Sequence, residues 1–195
     1  MGIIILDTET TASEPGQICQ LAYVLIDGAR ATGRNHFFTV DDMTPRAFGV
    51  HGLSREALAA LSGGRRFADC ASDIFADFDA ADCLAGHGVA FDDRFLRAEF
   101  SRCGLTLGEK NLFCTRDAHV RAMRRRGVRI AWPSLTRLAS HYGLDPARIA
   151  SEAAALFGGG GAAHDARYDA AAVWLVMRAA RAQGGLDGLP AGLDP

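Results

Sequence analysis

The sequence predicts a mixed α/β fold, a five-stranded sheet with its first three strands antiparallel and helices on its faces. Three observations carry this expectation. Short apolar runs separated by turn residues fill the N-terminal part of the chain. The apolar period then changes from that of strands to that of helices. Two further apolar runs, at residues 83–87 and 112–114, interrupt the helical stretches.

Each element has its own signal. Ile3-Ile4-Ile5-Leu6 is a continuous apolar run closed by Asp7, as expected of a strand buried on both faces. Ser13-Glu14-Pro15-Gly16 marks a turn. Residues 18–26 form a second strand ending at Asp27-Gly28, and His36-Phe37-Phe38-Thr39-Val40 reads as the third. Ser54 can cap a short helix through Leu61. Residues 67–78 place apolar side chains near i, i+3, i+4 and i+7, the pattern of an amphipathic helix. Cys83-Leu84-Ala85-Gly86-His87 is the fourth strand. A helix over residues 92–103 stops at Gly104, and Leu112-Phe113-Cys114 is the fifth strand. Helices follow over residues 117–125, 134–142, 146–156 and 165–183. Residues 184–195 are rich in glycine and proline and are expected to form a flexible tail.

At 195 residues the chain has the size of one domain. No apolar run approaches the ~18 residues that cross a membrane. The N-terminal run lacks the basic flank and length of a signal peptide, so a cytoplasmic location without membrane association is expected. Cys19, Cys70, Cys83, Cys103 and Cys114 are scattered with no C-x-x-C pair, which argues for free thiols and against a structural zinc site. The net charge of −2 supplies no general attraction for nucleic acid. A cluster of acids holding divalent cations would reverse that field locally. Arg121, Arg124, Arg125, Arg126 and Arg129 read as a solvated helix face, with attraction for a phosphate backbone as the alternative. The four glycines at 158–161 lack the Lys-Ser/Thr of a P-loop and read as a flap beside His164 or as a plain linker.

Asp7 and Glu9 stand two residues apart at a strand end, so their side chains share a face. Two carboxylates on one face repel unless a cation lies between them, and such oxygen donors suit Mg²⁺ or Mn²⁺. A bare D-x-E is more often a polar strand end. Asp92 follows a buried strand at a helix start, where open α/β sheets bind ligands; alone, an N-cap is the simpler reading. His164 and Asp169 lie five residues apart near the start of the last helix. All five residues sit at strand ends or helix starts, so one pocket can collect them.

Taken together, these motifs resemble the DnaQ-like exonucleases of the DEDDh type. Asp7-Thr8-Glu9-Thr10 is followed by Gly86-His87 to Asp92 with Phe95-Leu96. Ala163-His164-Asp165-Ala166 with Tyr168-Asp169-Ala170 completes the set. Phe48-Gly49-Val50-His51-Gly52-Leu53-Ser54, Cys114-Thr115, and Ser134-Leu135 with Leu138 and Tyr142-Gly143 also match, so the likeness spans residues 3–177. It implies a ribonuclease-H-like fold, with an exonuclease domain over residues 1–183. It also implies that Asp7, Glu9, Asp92 and Asp169 hold two divalent ions, Mg²⁺ or Mn²⁺, that Asp7 bridges them, and that His164 is the general base. The implied substrate is nucleic acid with a free 3′ end, first of all single-stranded DNA, cut to nucleoside 5′-monophosphates; RNA 3′ ends are the alternative. Thr10 and His51 would orient the terminus. Leu53 and Phe91 would flank the terminal base, because stacking needs no sequence readout. His87 is expected to stabilise its loop.

Gly88 departs from the asparagine of many relatives, which bears on substrate contacts and not on the metal ligands. A DNA polymerase or a sliding clamp is the implied protein partner. Gln183-Gly184-Gly185-Leu186 with Leu189 has a faint likeness to a clamp-binding peptide. A non-catalytic binding module on the same fold is the competing reading. It ranks low because all five expected residues are present.

Overall fold

The computed structural model describes residues 2–14, 16–28, 30–159 and 161–193. Its strands are β1 (Ile3–Thr10), β2 (Ile18–Asp27), β3 (Arg30–Phe37), β4 (Cys83–Gly86) and β5 (Asn111–Cys114), in the sheet order β3-β2-β1-β4-β5. The pairs β1–β2 and β2–β3 are antiparallel, and β1–β4 and β4–β5 are parallel. This is the expected mixed sheet. Helices α1 (Pro45–His51), α2 (Arg55–Ser62) and α3 (Phe67–Ala80) join β3 to β4. Helix α4 (Ala90–Arg102) joins β4 to β5. Helices α5 (Thr115–Arg125), α6 (Leu135–His141), α7 (Pro146–Phe157) and α8 (Ala166–Gln183) follow.

Strand β1 lies at the centre of the sheet and is buried along most of its length. Ile3 and Ile5 enter a core shared with Val173 and Met177 of α8. Ile4 and Leu6 enter the opposite core with Phe78 of α3 and Phe95 and Phe100 of α4. Each fully buried side chain of this kind contributes ~1.5–3 kcal/mol. The same alternation aims the polar end of the strand. Asp7 and Glu9 continue the row of Ile3 and Ile5 towards α8, and Thr8 continues the row of Ile4 and Leu6 towards α4.

Two local expectations are corrected, and one helix was not foreseen. The third strand covers Arg30–Phe37, pairing from Asp27↔Arg30 to Gln20↔Phe37, not residues 36–40. It is an edge strand, half-exposed and largely polar, so its apolar signal is weak. Phe38 and Val40 are buried, but in the connection beyond it. Helix α1 had no apolar stripe to announce it, because none of its residues is buried. Asp92 lies inside the first turn of α4, whose N-cap is Val89, so it is not itself a cap.

The expected loose tail also behaves differently over its described residues, 184–193. Leu186 and Leu193 are buried in the α8 core, with Leu189 packed beside them. Arg181 donates to the Pro190 carbonyl at 2.6 Å and Arg126 to the Gly184 carbonyl at 3.2 Å. Arg125 forms an ion pair with Asp187. Two arginines of the basic cluster therefore anchor this segment, and its leucines are turned inwards.

Candidate active site

Short contacts fix the first two carboxylates. Asp7 pairs with Ala22 across the β1–β2 ladder. Ala22, Ala166 and Ala170 form a patch of small side chains that lets α8 approach the sheet there. Gln20, opposite Glu9, reaches across to the start of α8. Its Nε2 donates to Asp165 Oδ1 at 3.0 Å, and its Oε1 accepts from the Ala166 N–H at 3.2 Å. Asp165 caps α8 and pairs with Arg167. The helix start is thus pinned beside Glu9, which places Asp169 one turn along.

On the other face, Asp92 Oδ1 accepts from the Thr8 hydroxyl at 2.7 Å and the Thr8 N–H at 3.1 Å. The carboxylate lies in the first turn of α4, near the positive end of the helix dipole. His164 has a left-handed backbone, φ 66°, uncommon for a residue with a side chain. Its N–H donates to Asp169 Oδ2 at 3.0 Å. Ligand atoms of Glu9, His164 and Asp169 lie within 4.8 Å of one another.

The electrostatics show how crowded this cluster is. Burial, and then the charges of Asp169, Asp92 and Glu9, raise Asp7 well above the usual carboxylate range. Burial together with Asp169 pushes Glu9 up to about 9. Burial raises Asp92 to about 7 although the Thr8 bonds oppose it. Asp169 rises to about 6, again through burial, against the pull of His164. Burial also raises Asp165, but the bonds from Arg167 and Gln20 outweigh it and hold that carboxyl below its ordinary value.

Two open grooves flank the acids. One is lined by Thr8, Glu9, Thr10, Val50, His51 and Phe91, with a volume of about 360 Å³. The other is lined by Asp7, His87, Arg116, Trp132, His164 and Asp169, with a volume of about 480 Å³. Thr10, His51 and Phe91 share one groove. Leu53 does not line it. It packs half-buried against Cys19, Val40 and Leu58.

Comparison with known proteins places the chain in a family. The sequence profile of the family described as Exonuclease matches residues 4–177. The chain belongs to that exonuclease family. It is similar to DNA polymerase III subunit epsilon of Escherichia coli, at 36% identity over 121 residues, covering 57% of this chain and 48% of that protein. The corresponding subunit of Rickettsia conorii is 34% identical over 104 residues, covering 50% of this chain and 44% of the other. The matches thus span less than half the length of these relatives. A structure of exonuclease I superposes with a TM-score of 0.73 at 19% identity, over 93% of this chain and 41% of that one. A zinc-bound complex of E. coli exonuclease I with single-stranded DNA gives 0.72 at 20% identity, over 93% and 40%. At such identities the likeness is one of fold.

Within this exonuclease fold the residues fit a divalent-metal centre. Among the described residues, no lysine or arginine pairs with Asp7, Glu9, Asp92 or Asp169, although each raises the proton affinity of another or is raised by burial. Four oxygen donors in that state suit hard cations. His87 takes no part in the acidic set. It bonds the Pro133 carbonyl at 3.1 Å and the Thr115 hydroxyl at 3.0 Å, and acts as a pin for its loop. The sequence reading missed Gln20, Asp165, Thr8, Arg116 and Trp132. Thr8 lies inside the D-x-E motif, and only strand parity would have pointed it at Asp92. Gln20 had no local signal at all.

Proposed function

We infer that this chain removes nucleotides from the 3′ end of single-stranded DNA by hydrolysis, releasing nucleoside 5′-monophosphates. The observation that carries the reading is the convergence of Asp7, Glu9, Asp92 and Asp169 from β1, α4 and α8 beside two open grooves, with no lysine or arginine paired to them among the described residues. These four would hold two divalent ions, Mg²⁺ or Mn²⁺. When bound, the ions neutralise the phosphodiester and lower the pKa of the attacking water.

The chain's own groups do the rest. His164 stands exposed on a left-handed backbone at the groove, where its ring can take a proton from water as general base. Asp169 fixes that backbone through the His164 N–H. Thr8 holds the Asp92 carboxylate in one orientation. His51 commits both ring nitrogens to protein: Nδ1 accepts from the Leu53 N–H at 3.0 Å, which leaves Nε2 as the donor to the Thr10 carbonyl at 3.3 Å. Its contribution is therefore the shape of the groove wall. Phe91, 37% exposed on the same groove, offers its ring to the terminal base.

The solved complex of exonuclease I with single-stranded DNA supports DNA as the substrate. The name of the relatives, DNA polymerase III subunit epsilon, supports a polymerase as partner. A clamp peptide at residues 183–189 finds less support, because Leu186 and Leu189 pack into the core. The test is digestion of matched 3′-labelled DNA and RNA oligomers with Mg²⁺. The wild-type chain should release mononucleotides from DNA, and Asp7→Ala should lose at least ~10³-fold, the several kcal/mol that ion chemistry supplies. Retained activity in purified Asp7→Ala protein would sink the assignment, and preference for RNA would favour a 3′-trimming exoribonuclease.

A further inference from the structure

The second groove carries a pair that the five-residue signature does not include. Trp132 is 63% exposed, more than any other large apolar side chain among the described residues. It lies in the connection between α5 and α6. A single exposed tryptophan is unremarkable on a surface, so its surroundings decide. The guanidinium carbon of Arg116 stands 4.5 Å from the centre of its ring. Both side chains line the cavity that Asp7, His164 and Asp169 also line.

The pair is held in place. His87 bonds the carbonyl of Pro133, the neighbour of Trp132, and the hydroxyl of Thr115, the neighbour of Arg116, so one imidazole ties both segments to the end of β4. Burial lowers the pKa of His87, and its Nε2 donates to the Pro133 carbonyl. Ser134 then starts α6 by accepting from the Arg137 N–H. Gly88, at φ 97°, has no side chain to compete for the space. A Cβ there would first meet Arg116 Nη1, at 3.8 Å. The nearest acceptor of Arg116 is Asp117, reached only by Nε at 3.4 Å. Among the described residues its terminal nitrogens bond to nothing. A fixed aromatic plane with free donors beside it thus faces the acidic cluster.

We propose that Arg116 and Trp132 hold the nucleotide on the 5′ side of the scissile bond, Trp132 stacking its base and Arg116 taking its phosphate. The proposal rests on the exonuclease reading, in which the terminal nucleotide occupies the groove of Phe91 and the scissile phosphate lies at the carboxylates. The strand must then leave through the opposite groove. Its volume of about 480 Å³ lies within the ~300–1,000 Å³ of small-ligand sites. With the guanidinium against one face of the indole, the exposure of Trp132 leaves the other face to a base. Stacking tolerates any base, as an enzyme advancing along arbitrary sequence requires. A planar guanidinium matches a phosphate with two parallel donors. Both are positioning residues, and their effect belongs in KM more than in kcat.

The test uses two substrates and one binding signal. A short single-stranded oligothymidylate has a nucleotide on the 5′ side, and the p-nitrophenyl ester of thymidine 5′-monophosphate has none. Trp132→Ala and Arg116→Gln should each lower the preference for the oligomer over the ester about tenfold or more, mainly through KM, with Trp132→Phe restoring most of it. Equal losses on both substrates, or an unaltered preference, would overturn the proposal. In EDTA, where no turnover occurs, the oligomer should quench the tryptophan fluorescence of the wild-type chain, and Trp132→Phe should remove the quench. Absence of quenching in the wild type would also overturn it. A wild-type chain that quenches but cuts neither substrate would instead count against the exonuclease reading and leave the platform standing.

Discussion

Replacing Asp7 with asparagine should stabilise the metal-free protein while ending its activity. The reason lies in the direction of the pKa shifts. Asp7, Glu9, Asp92 and Asp169 all bind protons more tightly in the folded state than in the unfolded chain. A group raised in this way favours folding below its unfolded pKa, and that contribution is lost as pH rises through its folded value. The window here runs from the ordinary carboxylate range through about 6 for Asp169 and about 7 for Asp92 to about 9 for Glu9. At pH 8 the empty cluster therefore strains the fold, whichever carboxylate keeps a shared proton. Relieving the neighbouring carboxyls by about one pKa unit is worth ~1–2 kcal/mol, and the partial opening of Asp7 to the groove keeps the gain in that range. For a domain of this size that is a rise in Tm of ~2–8 °C. Thermal melts in EDTA at pH 8 and pH 5 measure it, and the gap between wild type and Asp7→Asn should shrink at pH 5. Adding Mg²⁺ should raise the wild-type Tm by mass action and leave the variant almost unmoved. A variant that melts below the wild type at pH 8 in EDTA would refute the reasoning.

Other outcomes follow from particular contacts. Thr8→Val removes the 2.7 Å hydroxyl bond to Asp92 and should weaken Mg²⁺ binding ~10–100-fold by calorimetry; unchanged affinity would show that Asp92 needs no such support. Mg²⁺ binding at pH 7 should release protons, because part of the cluster is protonated there, so the apparent enthalpy should vary with the ionisation heat of the buffer. Gly33→Ala would place a methyl 2.8 Å from the Leu156 carbonyl carbon and from Phe157 Cδ1, forcing β3 and α7 apart at ~1–3 kcal/mol in urea unfolding. Gly49→Ala meets nothing within 4 Å inside α1 and should instead gain ~0.5–1 kcal/mol in the same assay.

The parts of the fold that were legible in the sequence are those that bury apolar surface in a regular period. Strand β1 reads directly from Ile3-Ile4-Ile5-Leu6, and α3 from Phe67, Ala71, Ile74 and Phe78, which the structure buries on one face. Strand β3 and helix α1 escaped because neither depends on an apolar stripe. One is an edge strand held by its ladder to β2. The other is a capped turn of helix held by Thr44, whose hydroxyl donates to the Thr11 carbonyl. The tail was misjudged from its glycines and prolines, although Leu186 and Leu193 were there to bury. In the candidate site, the acids and His164 could be named from the sequence because metal-assisted hydrolysis would need those residue types. Gln20 and Asp165 were not, since only the fold brings positions 145 residues apart into contact. Leu53 was nominated for a groove that the chain forms from Val50 and Phe91.

The proposed metal centre draws its ligands from β1, α4 and α8, far apart in sequence. Anomalous scattering from crystals soaked in Mn²⁺ tests it most directly. Strong peaks are expected within bonding distance of Asp7, Glu9, Asp92 and Asp169. Peaks confined to other carboxylates, with these four free of manganese, would contradict it.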